Sequence, residues 1–290
     1  MRRLIIYTFI AMLNNLWSLG VDALLIPQKA NILALSGAGI GGNVDIGINP
    51  SSYEKPYFGF SSNTWLGGVK GQKSTWIFEG ESNRFISFES MGVDDIEFHT
   101  DNDFNPEGYI SANWFSFDFG SKFDISNNQK FNLGMNIKLN YSKLYTDNSW
   151  GYALDLGATH KIYNDLSIGY VIKNLGSQYY SSNEKEKIEP LFGIGISDKM
   201  KILSSDIFFM NLSYYIDFIN HQNNNIYKLG LQTSFPFINF MFGTSRSNDY
   251  NDYSYGFSFK LNDFMLIFGN INHENNALGN PQSIELRRYF

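Results

Sequence analysis

Four histidines, His99, His160, His221 and His273, are the residues best suited to metal binding or proton transfer. They are scattered, with no H-x-x-x-H pair. No cysteine is present to join them, which also excludes disulfides and thiolate catalysis. Gly37, Gly39, Gly41 and Gly42 form a small-residue run, but no Lys-Ser/Thr follows to make it a phosphate loop. Their use is to let irregular backbone pass close to a wall. Asp94 and Asp95 could be imagined as an acid–base pair, yet neighbours in a strand point to opposite faces. No catalytic constellation survives, so the reading is a non-enzyme with no cofactor and no metal. What remains is positional. Pro50 fixes its own φ and biases Asn49 towards an extended backbone, giving either a rigid kink or an ordinary turn. Lys138 and Asp155 either pair or are each solvated. Solvation is the simpler reading, and on it Asp155→Asn costs little.

The elements that carry these residues alternate. In "FNLGMNIKLNYSKLY", residues 131–145, Phe131, Leu133, Met135, Ile137, Leu139 and Tyr141 share one parity. Asn132, Asn136, Lys138 and Asn140 share the other. Such a strand is apolar on one face and polar on the other. A soluble sheet buries the apolar face, whereas an outer-membrane barrel turns it to lipid. Composition favours the barrel: aromatics make up 17% and charged residues only 17%, with 18 Tyr and 26 Phe. Net charge is -6, which gives no basic footprint for nucleic acid. Alternation and turn residues predict about 14 strands, near 57–67, 73–80, 84–98, 109–120, 130–142, 151–162, 165–174, 190–198, 205–219, 226–235, 237–246, 253–261, 263–272 and 282–290. Short turns are expected at Asn164-Asp165, around Pro236 and at Asn262-Asp263. Longer loops are expected near 99–108, 143–150, 175–189, 220–225, 246–252 and 273–281. Short turns on one rim and long loops on the other describe an outer-membrane barrel with periplasmic short turns.

The ends fit export. Arg2 and Arg3 precede the apolar run "LIIYTFIAML" (4–13), and small residues follow at Ser18, Gly20 and Ala23. Residues 1–23 therefore read as a signal peptide. Residues 24–56 do not alternate, but they carry Ile32, Leu33, Leu35, Ile40, Val44, Ile46 and Ile48. That content favours burial, and the segment is expected to plug the lumen of a barrel formed by 57–290. The chain ends on "SIELRRYF", where Ile284, Leu286 and Phe290 alternate towards a terminal aromatic and Arg288 breaks the apolar parity.

Some stretches carry a family resemblance. Ser36-Gly37-Ala38-Gly39, followed about ten residues on by Asn49-Pro50, resembles the N-terminal signature of the PorV/PorQ group within the FadL-like outer-membrane proteins. The group usually continues with Ala and then Gly or another small residue, where this chain has Ser51-Ser52. Asp155-Leu156-Gly157-Ala158, Leu166-Ser167-Ile168-Gly169 and Asn174-Leu175-Gly176 resemble the group's central hairpin, and "PLFGIGIS" (190–197) its next strand. The resemblance implies a 14-stranded transmembrane antiparallel β-barrel with its N-terminal segment in the lumen. Gly37, Gly39, Asn49 and Pro50 become plug or gating residues, and Lys138 and Asp155 face the lumen. The implied place is the outer membrane of a diderm bacterium, among its lipids. The implied role is type IX secretion, with secreted cargo or secretion-machinery proteins as partners. The alternative is a FadL-like channel for hydrophobic small molecules. A soluble exported all-β protein is the further rival.

Overall fold

A computed structural model describes residues 24, 26–52, 54–78, 84–98, 106–125, 130–182, 184–205, 208–273 and 279–290. The expected signal peptide and His99 lie outside them. Fifteen strands form one sheet: β1 (Tyr57–Thr64), β2 (Lys70–Ile77), β3 (Arg84–Phe98), β4 (Gly108–Asp124), β5 (Phe131–Leu144), β6 (Asp147–Tyr163), β7 (Leu166–Tyr180), β8 (Lys185–Ile188), β9 (Leu191–Ser204), β10 (Phe209–His221), β11 (Asn224–Ser234), β12 (Ile238–Arg246), β13 (Asn251–Leu261), β14 (Phe264–Asn272) and β15 (Gln282–Tyr289). β1 closes on β15 from Tyr57↔Tyr289 to Thr64↔Gln282, and β6 pairs with β7. β8 pairs only with the far end of β7, so 14 strands make a closed antiparallel barrel. Closure leaves no unpaired edge, which is what a sheet in hydrocarbon requires.

The apolar parity faces out. On β5, Ile137, Leu139 and Tyr141 are 42%, 54% and 43% exposed, whereas Asn136, Lys138 and Asn140 are 4%, 7% and 4% exposed. The same holds on β13, where Tyr253, Tyr255, Phe257 and Phe259 point outward. An apolar belt of this extent would be a severe liability in water, at roughly 25 cal/mol per Å². It suits a lipid surroundings, and the soluble rival falls here.

The expected loop pattern needs correcting. Tight turns occur at Asn164-Asp165 and Asn262-Asp263 on the rim that holds β1's start and β15's end. They also occur on the opposite rim, at Tyr145-Thr146 and Gln222-Asn223, within two regions expected to be long loops. Gln222 and Asn223 both have positive φ (52° and 60°), the geometry that matches hairpin twist. The expected 175–189 loop is largely strand, since β7 runs on to Tyr180 and meets β8. Gly176-Ser177-Gln178 and Lys185-Glu186-Lys187 carry no apolar alternation, so sequence alone reads them as loop.

Candidate functional site in the plugged lumen

Residues 26–52 lie inside the barrel. Helix α1 (Ala30–Ala34) is a single short turn, and Ala30, Ala34, Leu35 and Ala38 pack on Tyr215, Met241 and Ile267. The wall receives this backbone at glycines set opposite one another on adjacent strands: Gly134↔Gly157, Gly169↔Gly195 and Gly256↔Gly269. A Cβ on Gly169 would strike the Ile40 carbonyl, one on Gly134 the Pro50 carbonyl, and one on Gly269 the Ala30 carbonyl. In the sequence these glycines stand on the polar parity of their strands.

Each candidate residue has a definite place. Gly37 (φ 71°) lies against Lys228, and Gly39 (φ 136°) donates its N–H to Asp217 Oδ2 at 2.7 Å. Ile40 N–H donates to the same carboxylate at 3.1 Å. Asn49 is fully buried; its amide donates to the Ile40 carbonyl (2.8 Å) and the Ala158 carbonyl (3.3 Å). Its Oδ1 accepts from Ser51 N–H and Oγ–H. Pro50 lies between Gly134 and Gly157, and Ser52 N–H closes a turn on the Asn49 carbonyl (2.9 Å), so the Asn-Pro step is a turn that abuts β5 and β6 inside the barrel. Ser51 Oγ is 2.8 Å from Thr159 Oγ1.

Lys138 and Asp155 are paired and buried, not solvated: Nζ to Oδ2 is 2.7 Å. The register Asn136↔Asp155 and Lys138↔Ala153 makes them diagonal neighbours on β5 and β6, and a bulge on β7 adds a partner. Lys173 and Asn174 together oppose Asp155, with Asn174 at φ 63°. Asn174 N–H donates to Asp155 Oδ1 (2.8 Å), and Asn174 Oδ1 accepts from Lys138 (3.0 Å). Asp94 and Asp95 also fall at a bulge, on β3, with Asp95 at φ 60°.

Sequence reasoning missed the charge cluster that ties the plug to the last strand. Arg287 donates to Glu285 (2.6 Å), Glu54 (3.2 Å) and Asp45 (3.3 Å), and its guanidinium stacks 4.7 Å from the Tyr57 ring centre. Lys29 donates to Asp45 (3.0 Å) and Tyr57 Oη (3.1 Å), and Ala30 N–H to Glu285 (3.2 Å). Glu285 and Arg287 sit on the polar parity of β15, but nothing local marks them as plug partners. Burial pushes Asp45 up, yet the Lys29 and Arg287 charges outweigh it and hold the carboxyl below its ordinary value. Burial, reinforced by Asp45, pushes Glu54 up from 4.5 to about 7. A raised carboxyl stabilises the docked state fully below pH 4.5 and loses that contribution as pH rises through about 7. Amide exchange of residues 45–52 is therefore expected to be slower at pH 5 than at pH 8, after correction for intrinsic rates. Glu54→Gln should flatten this difference, and an unchanged difference would reject the assignment to Glu54.

Two spaces flank the plug. One, of about 770 Å³, is polar and lies towards the terminal rim, among residues such as Asn132, Lys161, Ser197 and Lys199. The other is a cavity of about 150 Å³ on the far side. Ile32, Ile40, Ile48, Val171, Leu191 and Ile219 give it an apolar wall. Lys73–Glu89 (2.7 Å), Lys73–Asp118 (3.4 Å) and Lys138–Asp155 give it a paired-charge wall. Among the described residues no group of His, Asp and Glu could hold a metal ion, and no helix is long and apolar enough to cross a membrane.

A closed 14-strand barrel, apolar outside and polar within, with its N-terminal segment packed in the lumen, has the architecture of outer-membrane barrels. No protein-family model and no curated protein matches the chain. Solved structures do match its fold. The CymD monoaromatic hydrocarbon channel superposes with a TM-score of 0.65 at 12% identity, over 92% of this chain and 98% of that one. The toluene transporter TbuX of Ralstonia pickettii gives 0.58 at 10% identity, over 90% and 98%. A Pseudomonas aeruginosa FadL homologue gives 0.54 at 8%, over 90% and 98%. The chain thus shares its fold with these barrels. CymD is a channel and TbuX a transporter, and the finer PorV/PorQ likeness rests on the sequence motifs alone.

Proposed function

We propose that this protein is an outer-membrane channel for hydrophobic small molecules, with residues 26–52 as its gate. The observation that carries the reading is a cavity with one apolar wall, set directly against the plug inside the lumen. Passage of hydrophobic molecules requires such a station, because a purely polar lumen offers them nothing to replace the membrane. The likeness to a toluene transporter and a monoaromatic hydrocarbon channel supports this over the handling of secreted proteins implied by the PorV/PorQ-like motifs. In this reading residues 1–23 serve as the export signal. Gly37 and Gly39 give the gate its bends, and Asn49 and Pro50 seat it on β5 and β6. The ion pair of Lys138 and Asp155 stiffens the wall beside the cavity.

Whole-cell uptake tests the reading. A host displaying the protein in its outer membrane should accumulate labelled toluene faster than the same host without it, with no gain for a sugar of similar size. Equal gains for both would indicate an open pore, and no gain for toluene would refute the channel.

A further inference from the structure

The charges around the central cavity do not cancel. Five lysines line it, Lys29, Lys73, Lys138, Lys173 and Lys228, against three acids, Glu89, Asp118 and Asp155. Lys29 is held by Asp45, Lys73 by Glu89 and Asp118, and Lys138 by Asp155. Lys173 and Lys228 have no carboxylate within 4.0 Å among the described residues. Lys173 donates one hydrogen bond, to the Gly47 carbonyl at 2.7 Å. An ammonium has three protons, so Lys173 keeps two to offer. Asp217 and Asp252 act on Lys228 from a distance, and the Asp217 carboxylate is taken up by the Gly39 and Ile40 amides. Asp155 acts on Lys173 without touching it, so both lysines bring positive charge with no contacting carboxylate to a space whose apolar lining includes Ile40, Val171 and Ile219.

A partly buried cation without a counter-charge is costly, and an anion brought into a low-dielectric site is costly in the same way. Each relieves the other through charge-assisted hydrogen bonds. Size adds a second constraint. A space of about 150 Å³ matches a benzene-sized body. We propose that this cavity takes a compact organic anion with one apolar face, of benzoate size. Lys173 and Lys228 pair with its carboxylate, and Ile40, Val171 and Ile219 pack its ring. The proposal rests on the channel reading and narrows it from hydrophobic molecules in general to small aromatic or alicyclic acids.

Calorimetry on the full-length barrel in nanodiscs, at pH 7, separates the cases with two probes of nearly equal shape, benzoate and toluene. Benzoate should bind more tightly than toluene by about tenfold or more. Lys173→Gln with Lys228→Gln should remove that preference and leave toluene binding in place. Lys173→Arg with Lys228→Arg should keep it, which distinguishes lost charge from lost fold. Toluene binding as tightly as benzoate, or benzoate binding unaffected by the double Gln variant, would overturn the proposal and leave the channel intact. Binding of neither probe, together with no uptake of toluene, would overturn both.

Discussion

Deleting residues 30–50 should leave a folded barrel with much higher single-channel conductance in planar bilayers. The wall does not depend on the segment for closure, since every spanning strand is hydrogen-bonded to two neighbours, including β1 to β15. What the deletion removes is the backbone pressed against the wall glycines and the side chains of Leu35, Ile40 and Ile48. The Arg287 cluster would lose Asp45 but keep Glu54 and Glu285, so the last strand retains partners for its guanidinium. Polar wall residues such as Ser197, Ser213 and Ser258 then line a continuous water path. Conductance equal to that of the intact chain would mean that residues 30–50 do not close the lumen.

Asp155→Asn and Leu156→Arg, neighbours on opposite faces of β6, should both be severe. Asp155 is 2% exposed and holds Lys138 at 2.7 Å, so the amide leaves a buried ammonium without its counter-charge. Breaking a buried pair from one side costs about 3–5 kcal/mol, and retention of the bond from Asn174 keeps the expected loss near the lower end. Leu156 lies at the middle of β6 and is 38% exposed on the outer face. Arg there should cost about 2–4 kcal/mol near the bilayer midplane. Urea unfolding in lipid vesicles measures both. A silent Asp155→Asn would show that the ion pair is replaceable by water, as the solvated reading held. A tolerated Leu156→Arg would mean that the outer face does not meet hydrocarbon.

That contrast shows where the sequence was legible. Parity on β5 and β6 correctly separated outside from inside, because alternation is a local property that the barrel preserves along each strand. The same parity placed Lys138 and Asp155 on the inner face but could not decide whether they meet. Their contact depends on the β5–β6 register, and their shared partner Asn174 depends on a bulge at which Asn174 in a strand only weakly hints. Strand β3 emerged with its expected bounds, whereas β8 was hidden in an expected loop because Lys185-Glu186-Lys187 and its partner Gly176-Ser177-Gln178 carry no apolar alternation. The apolar residues of 32–48 announced burial. Their partners are far away in sequence: Asp45 meets Arg287 and Ser36 meets Ser254. No local pattern encodes such contacts. The wall glycines were in view as strand residues on the polar face, and their meaning appears only once the plug backbone lies against them.

The central claim is that residues 26–52 gate a path for hydrophobic molecules. Ser51 on the plug and Thr159 on β6 offer a direct test, since their hydroxyl oxygens are 2.8 Å apart and the chain has no native cysteine. In the Ser51→Cys, Thr159→Cys variant, oxidation should tether plug to wall and reduction should free it. Toluene uptake should fall to the level of barrel-free cells when the bond is formed and recover when it is reduced. Equal uptake in the two states, with the bond verified by mass spectrometry, would contradict the account.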